Sequence, residues 1–270
     1  MAVNGGYRIF VHGGFANNAP ASTPPAAWTP ESLTGIQEWW YSGAGVVETS
    51  NQVQSWTGQI NNTVLTKGTG TGMTYTAADA EANNKPTIGQ NSSRNLATLI
   101  NTNITTFTPT VERYLGFIGI SNDSTSEVTR LIGGQTVGYG ADGFSLMVDS
   151  FENPSTPGYY YTVPGEGTGR RTGAGTIVDG DVFWMIISID STGLLGTVNL
   201  NGTQTSINPN DAIDDVTPMV WEVGGYNNSP GPVNGPGNWN GKVIESFFGN
   251  GVPTSEDLTN LNTYVTNTYS

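Results

Sequence analysis

Few residues in this chain of 270 are equipped for chemistry. It carries one histidine, His12, no cysteine, and lysines only at positions 67, 85 and 242. Thiol nucleophiles and zinc–thiolate sites fall with the missing cysteine, and a His-based triad or His-ligated metal has almost nothing to draw on. Carboxylates are commoner: 22 Asp and Glu stand against 9 Lys and Arg, a formal charge of −13. Hydrolysis of a glycosidic bond needs two carboxyl groups facing each other across the bond. Here Glu245 is the single carboxylate of its apolar stretch and Glu222 stands alone beside Trp221. Asp179 and Asp181 have the spacing to share a face, but they flank Gly180, which marks a turn. The expectation is that the chain is not an enzyme.

Metal and phosphate chemistry fare no better. Asp211, Asp214 and Asp215 cluster, but without EF-hand spacing, and Asp is a preferred turn residue in any case. No metal and no cofactor are expected. The Gly-rich runs 68–72 and 165–169 lack the strand-before, helix-after setting of a phosphate loop. They read as surface loops, with the basic doublet Arg170-Arg171 at a solvated tip. Aromatic rings are the remaining resource, because they stack on the apolar faces of sugars. Tyr159, Tyr160 and Tyr161 alternate along a strand, and most strand rings serve packing. Tyr226 and Trp239 lie in a Gly-, Asn- and Pro-rich stretch at 225–240, where packing demands less, and are the candidate glycan-binding residues.

Charged residues make up 11 % of the chain, against about 25 % in an ordinary domain, so Thr, Asn, Ser and Gly must carry the polar surface. An acidic chain with so few cations is not expected to bind nucleic acid. No apolar run approaches the roughly 18 residues that would span a bilayer, so no membrane partner is expected. The opening residues lack the basic start and apolar core of a signal peptide.

The elements that must position these residues are strands. Residues 1–28 read as an arm: Tyr7, Ile9, Phe10 and Val11 suit one short strand, and a Pro-rich spacer from Ala16 to Ala27 isolates it. Such a strand could add to a neighbour's sheet edge, which makes Tyr7, Ile9, Phe10 and Val11 candidate partner-binding residues. From residue 29 to 270 the spacing predicts a single all-β domain. Thr29-Pro30-Glu31 reads as a helical turn with Pro at N1, followed by a strand over Ile36 to Tyr41. Further strands are expected at 53–56, 63–66, 114–120, 129–132, 144–148, 159–163, 220–223 and 243–248, with 67–110 only weakly periodic. Val182 to Ile189 is apolar on both pleat faces, so it should lie centrally and be covered on both sides. Gly196 to Leu200 and Thr203 to Ile207 flank Asn201-Gly202, a type I′ hairpin signal. Thr254 and Asp257 form a capping box ahead of Leu258, Leu261 and Val265, which predicts a short closing helix.

Several of these segments together resemble a concanavalin A-like (laminin-G-like) domain. They are Asn240-Gly241-Lys242-Val243-Ile244-Glu245 with the capped helix after it, the Val198-Asn199-Leu200-Asn201-Gly202 hairpin, Leu33 to Trp40 with Val53 to Trp56, and Asn84 to Thr87. The resemblance covers roughly residues 30–270 and implies a two-sheet jelly-roll sandwich with a C-terminal helix and an extended N-terminal arm. The glucanases of this fold carry Glu-x-Asp-x-x-Glu, which is absent here. Domains of the type recur in virion proteins of tailed bacteriophages, in adhesins and in glycan-binding modules. The expectation drawn from this is a non-enzymatic virion protein, a capsid decoration or head fibre anchored by its arm to other virion proteins and located in the virion. The alternative is a tail-associated module that binds cell-surface glycans, with a glycoside hydrolase as the least favoured reading. A homo-oligomer is left open.

Overall fold

A computed structural model describes residues 27–68, 72–89, 99–104, 112–122, 129–136, 145–149, 158–161, 170–172, 177–191, 196–207, 219–224 and 241–270. A 3-10 turn at Pro30–Ser32 leads into β1 (Ile36–Tyr41), β2 (Val46–Thr49), β3 (Gln52–Thr57), β4 (Val64–Lys67) and β5 (Thr74–Asp79). A second 3-10 turn, Ala80–Ala82, precedes β6 (Lys85–Gly89), β7 (Leu99–Ile104), β8 (Arg113–Ser121), β9 (Thr129–Thr136) and β10 (Ser145–Asp149). Then come β11 (Gly158–Tyr161), β12 (Arg170–Thr172), β13 (Val182–Ile189), β14 (Gly196–Leu200) and β15 (Thr203–Ile207). The chain closes with β16 (Met219–Val223), β17 (Gly241–Asn250) and α1 (Ser255–Tyr269).

All pairings are antiparallel and fall into two ladders. One runs β15–β14–β13–β8–β17, and the far edge of β17 is shared by β1 and β6. The other runs β2–β3–β4–β7–β16–β9–β10–β11–β12. β5 joins them, pairing with β6 and touching β3 at one position. The ladders pack face to face: Val53, Trp56, Leu65 and Val223 of one meet Trp40, Phe117, Phe183, Met185, Ile187 and Val198 of the other. The result is the all-β sandwich that the strand spacing predicts.

The first ladder is covered on its outer side as well. Tyr114, Ile118 and Ile120 of β8, Trp184 and Ile186 of β13, and Phe247 of β17 pack there under Leu261, Val265 and Tyr269 of α1. This is why β13 is apolar on both faces; one set of its side chains feeds each core. Burying each such side chain contributes about 1.5–3 kcal/mol. The α1 capping box is complete, with Thr254 Oγ1 accepting from the Asp257 amide at 3.1 Å and Asp257 Oδ2 accepting from the Thr254 amide at 2.9 Å. Asn201 and Gly202 both take positive φ, 47° and 87°, as a type I′ turn requires.

Three segments differ from expectation. Residues 46–49, where no strand is expected, form the edge strand β2. Residues 67–110, weakly periodic in sequence, contain β5, β6 and β7, whose Thr- and Asn-rich faces hide the alternation. Arg170 and Arg171 do not sit at a loop tip; they pair with Tyr161 and Tyr160 in β12.

Candidate functional site

One irregularity organises the helix side of the sandwich. In β17 the register against β8 slips between Val243 and Glu245, so Ile244 is an extra residue. A bulge of this kind inverts the alternation beyond it. Val243 accordingly belongs to the core between the ladders, whereas Phe247, of the same parity, belongs to the core under α1. Glu245 is carried to the same side. Its carboxylate is fully buried and accepts from Trp39 Nε1–H of β1 at 2.6 Å, from the Tyr264 hydroxyl at 2.6 Å and from the Tyr269 hydroxyl. Tyr264 and Tyr269 stand edge to face, ring centres 5.8 Å apart. Burial pushes the Glu245 carboxyl up to about 7, against the three hydrogen bonds that favour its charge. Both tyrosine hydroxyls are raised, by burial first and by the neighbouring carboxylate second.

Beside this cluster a cleft of about 480 Å³ opens between the Ala80–Ala82 turn, the turn before β13 and the end of α1. Glu81, Asn83, Asp181, Tyr269 and Ser270 line it. One wall is braced by Lys242, whose ammonium donates to Asp79 at 3.0 Å and to Glu81 at 2.6 Å. Thr87 Oγ1 also donates to Asp79, at 2.8 Å. Burial pushes the Asp79 carboxyl up, but the bonds from Lys242, Thr87 and the Glu81 amide outweigh it and hold the group below its ordinary value. The Ala80–Ala82 turn is tied to α1, because the Asn83 side-chain amide donates to the Thr268 carbonyl at 3.3 Å. The exposed carboxylate of Asp181 and the exposed amide of Asn83 offer both acceptor and donor, the equipment for holding a hydroxylated molecule.

A second buried carboxylate does different work. Glu38 accepts from the amides of Ile60 at 3.0 Å, Thr63 at 2.9 Å and Asn61 at 3.3 Å, and so fastens the turn between β3 and β4. A Cβ at Gly58 would overlap the carboxyl group, so a larger residue there must push Glu38 away from its donors.

The residues singled out in sequence fare unequally. Tyr7, Ile9, Phe10 and Val11, Asp211, Asp214 and Asp215, and both Tyr226 and Trp239 lie outside the described residues. Asp179 and Asp181 do flank a turn, with Gly180 at φ 85°, and Asp179 accepts from Ser121 Oγ at 3.1 Å. Glu222 pairs with Ile100 and Gly133 through its backbone in β16. Sequence reasoning missed the joint burial of Glu245 with Trp39, Tyr264 and Tyr269. The signal was a lone carboxylate inside an apolar strand, which must find donors when buried.

No family model matches the chain, and no curated protein is similar to it in sequence. Solved structures are. Domain 4 of AbnA, a GH43 extracellular arabinanase from Geobacillus stearothermophilus in complex with arabinotriose, superimposes with a TM-score of 0.55 at 12 % identity, covering 85 % of this chain and 98 % of that one. The chain shares its fold with that domain. Trypanosoma rangeli sialidase in complex with the inhibitor DANA gives a TM-score of 0.53 at 10 % identity over 84 % of this chain, which spans only 32 % of the sialidase's length. These likenesses overturn the expectation that the chain is not an enzyme. Its fold is found within chains of glycan-acting enzymes, so unpaired carboxylates and a missing glucanase motif do not set it apart from them. Neither likeness is to a virion protein, and the association with tailed phages therefore has only the sequence resemblance behind it.

Proposed function

We propose that this chain is a glycan-binding β-sandwich module, the reading ranked second in sequence. The observation that carries it is the near-complete coverage of AbnA domain 4, a domain whose structure is in complex with arabinotriose. The composition supports the same reading: a surface with few charges and much Thr and Asn suits a neutral polyhydroxylated ligand. Tyr226 and Trp239 are the rings that would stack on the sugar, as their place in the 225–240 stretch suggests.

A glycan array probed with the full chain, followed by calorimetric titration with arabinotriose and with the best array ligand, tests this. Reproducible binding is expected, weakened at least about tenfold (~1.4 kcal/mol) in Trp239→Ala. An array with no retained glycan would overturn the reading. Binding that survives both Trp239→Ala and Tyr226→Ala would keep the module but move its site, with Asn83 and Asp181 of the cleft the next residues to substitute.

A further inference from the structure

The cluster around Glu245 is more than packing. Among the described residues the side chains that face the carboxyl are aromatic or apolar: Trp39 and Tyr41 from β1, Tyr264 and Tyr269 from α1, and Ile118 opposite it in β8, with Tyr75 of β5 behind Tyr41. Among the described residues no Lys, Arg or His stands beside it. A buried carboxylate without a cation loses hydration that neutral donors replace only in part. Two of its three donors come from the last six residues of α1, and Tyr269 with Ser270 also lines the cleft.

We propose that Glu245, Tyr264 and Tyr269 form a proton-operated latch that holds the end of α1 on the sheet while the carboxyl is protonated and loosens it once the carboxyl is ionised. Loosening frees Tyr269 and Ser270, and so remodels one wall of the cleft. This is independent of what the module binds.

The sign follows from linkage. With α1 docked, Glu245 titrates near 7; with the helix end released and the carboxyl in water, it returns to its ordinary 4.5. The docked form binds the proton more tightly, so the latch is fully stabilising below 4.5 and weakens as pH rises through 7. Above that the effect levels off, at roughly a 300-fold change in the opening equilibrium.

Hydrogen exchange of the full chain, with each amide rate divided by its intrinsic rate at that pH, reads this directly. Between about pH 5 and pH 8 the opening constant of the Leu261–Tyr269 amides should rise at least roughly thirtyfold, while that of the Val46–Thr49 edge amides, whose fraying leaves Glu245 buried, stays within about twofold. Glu245→Gln should make α1 insensitive to pH. An unchanged opening constant would overturn the latch, and so would one no larger than that of β13, because α1 would then open only with the whole domain. Should Glu245→Gln fail to fold, the wild-type chain decides alone by its ¹³C carboxyl resonance. Titration of Glu245 near 7 supports the proposal, and titration below about 5 sinks it.

Discussion

Glu38→Gln is the sharpest test of how this sandwich holds its turns. The substitution keeps shape and volume but replaces one carboxylate oxygen with an NH₂ group. In the protein both oxygens accept: Oε1 from the Trp39 amide at 3.1 Å and the Ile60 amide at 3.0 Å, Oε2 from the Thr63 amide at 2.9 Å. A Gln must therefore set a donor against a donor on one side, and it loses the charge assistance on both. Hydrogen bonds to a charged group contribute about 1.5–3 kcal/mol each, and an orphaned buried amide costs about 1–3 kcal/mol. The expected loss is about 3 kcal/mol, or roughly 6–12 °C in Tm for a domain of this size. Equilibrium urea unfolding followed by tryptophan fluorescence measures it, with a shifted midpoint at constant slope. Glu48→Gln is the control: Glu48 is exposed and accepts one bond, from the Asn51 amide at 2.7 Å, so its loss should stay under about 1 kcal/mol. If Glu38→Gln costs no more than the control, the carboxylate does not fasten the turn and the reasoning is wrong.

Two further outcomes are expected from the same assay. Thr254→Ala removes the hydroxyl that caps α1 and should destabilise by about 1 kcal/mol, seen first as faster exchange of the Asp257 amide. Gly116→Ala should cost about 1–3 kcal/mol, because its Cβ would overlap the Phe247 ring under α1; Phe247→Leu in the same chain should recover part of that loss.

Where local chemistry decides, the sequence is readable. β13 and the β14–β15 hairpin fall at the predicted residues because double-sided apolarity and Asn-Gly are local signals. The helix start is equally clear, since the capping bonds between Thr254 and Asp257 join residues three apart in the chain. β2 was invisible: Val46–Thr49 is a short edge strand with exposed side chains, so neither alternation nor burial marks it. β12 spans three residues, too few for any period to register. The buried carboxylates were legible as anomalies but not as sites. Glu38 sits beside two tryptophans and Glu245 inside an apolar strand, yet the donors of Glu245 lie up to 206 residues away. The bulge at Ile244 decided which side Glu245 faces, and its residues, Val243-Ile244-Glu245, carry no sign of it.

The pairing of β1 with β17 sets a timetable for the nascent chain. Trp39 meets Phe247 and Tyr41 meets Glu245, so β1 finds its neighbour only after the roughly 200 residues between them have been synthesised. Until then β8 lacks the strand that separates it from β1 and β6, and β13 has α1 on neither face. Such distant closure slows folding and leaves sticky intermediates waiting on the ribosome. The formal charge of −13 gives those intermediates mutual repulsion but leaves their unpaired apolar faces uncovered. Yield during expression should therefore depend on slow synthesis and chaperone supply more than on the stability of the finished sandwich.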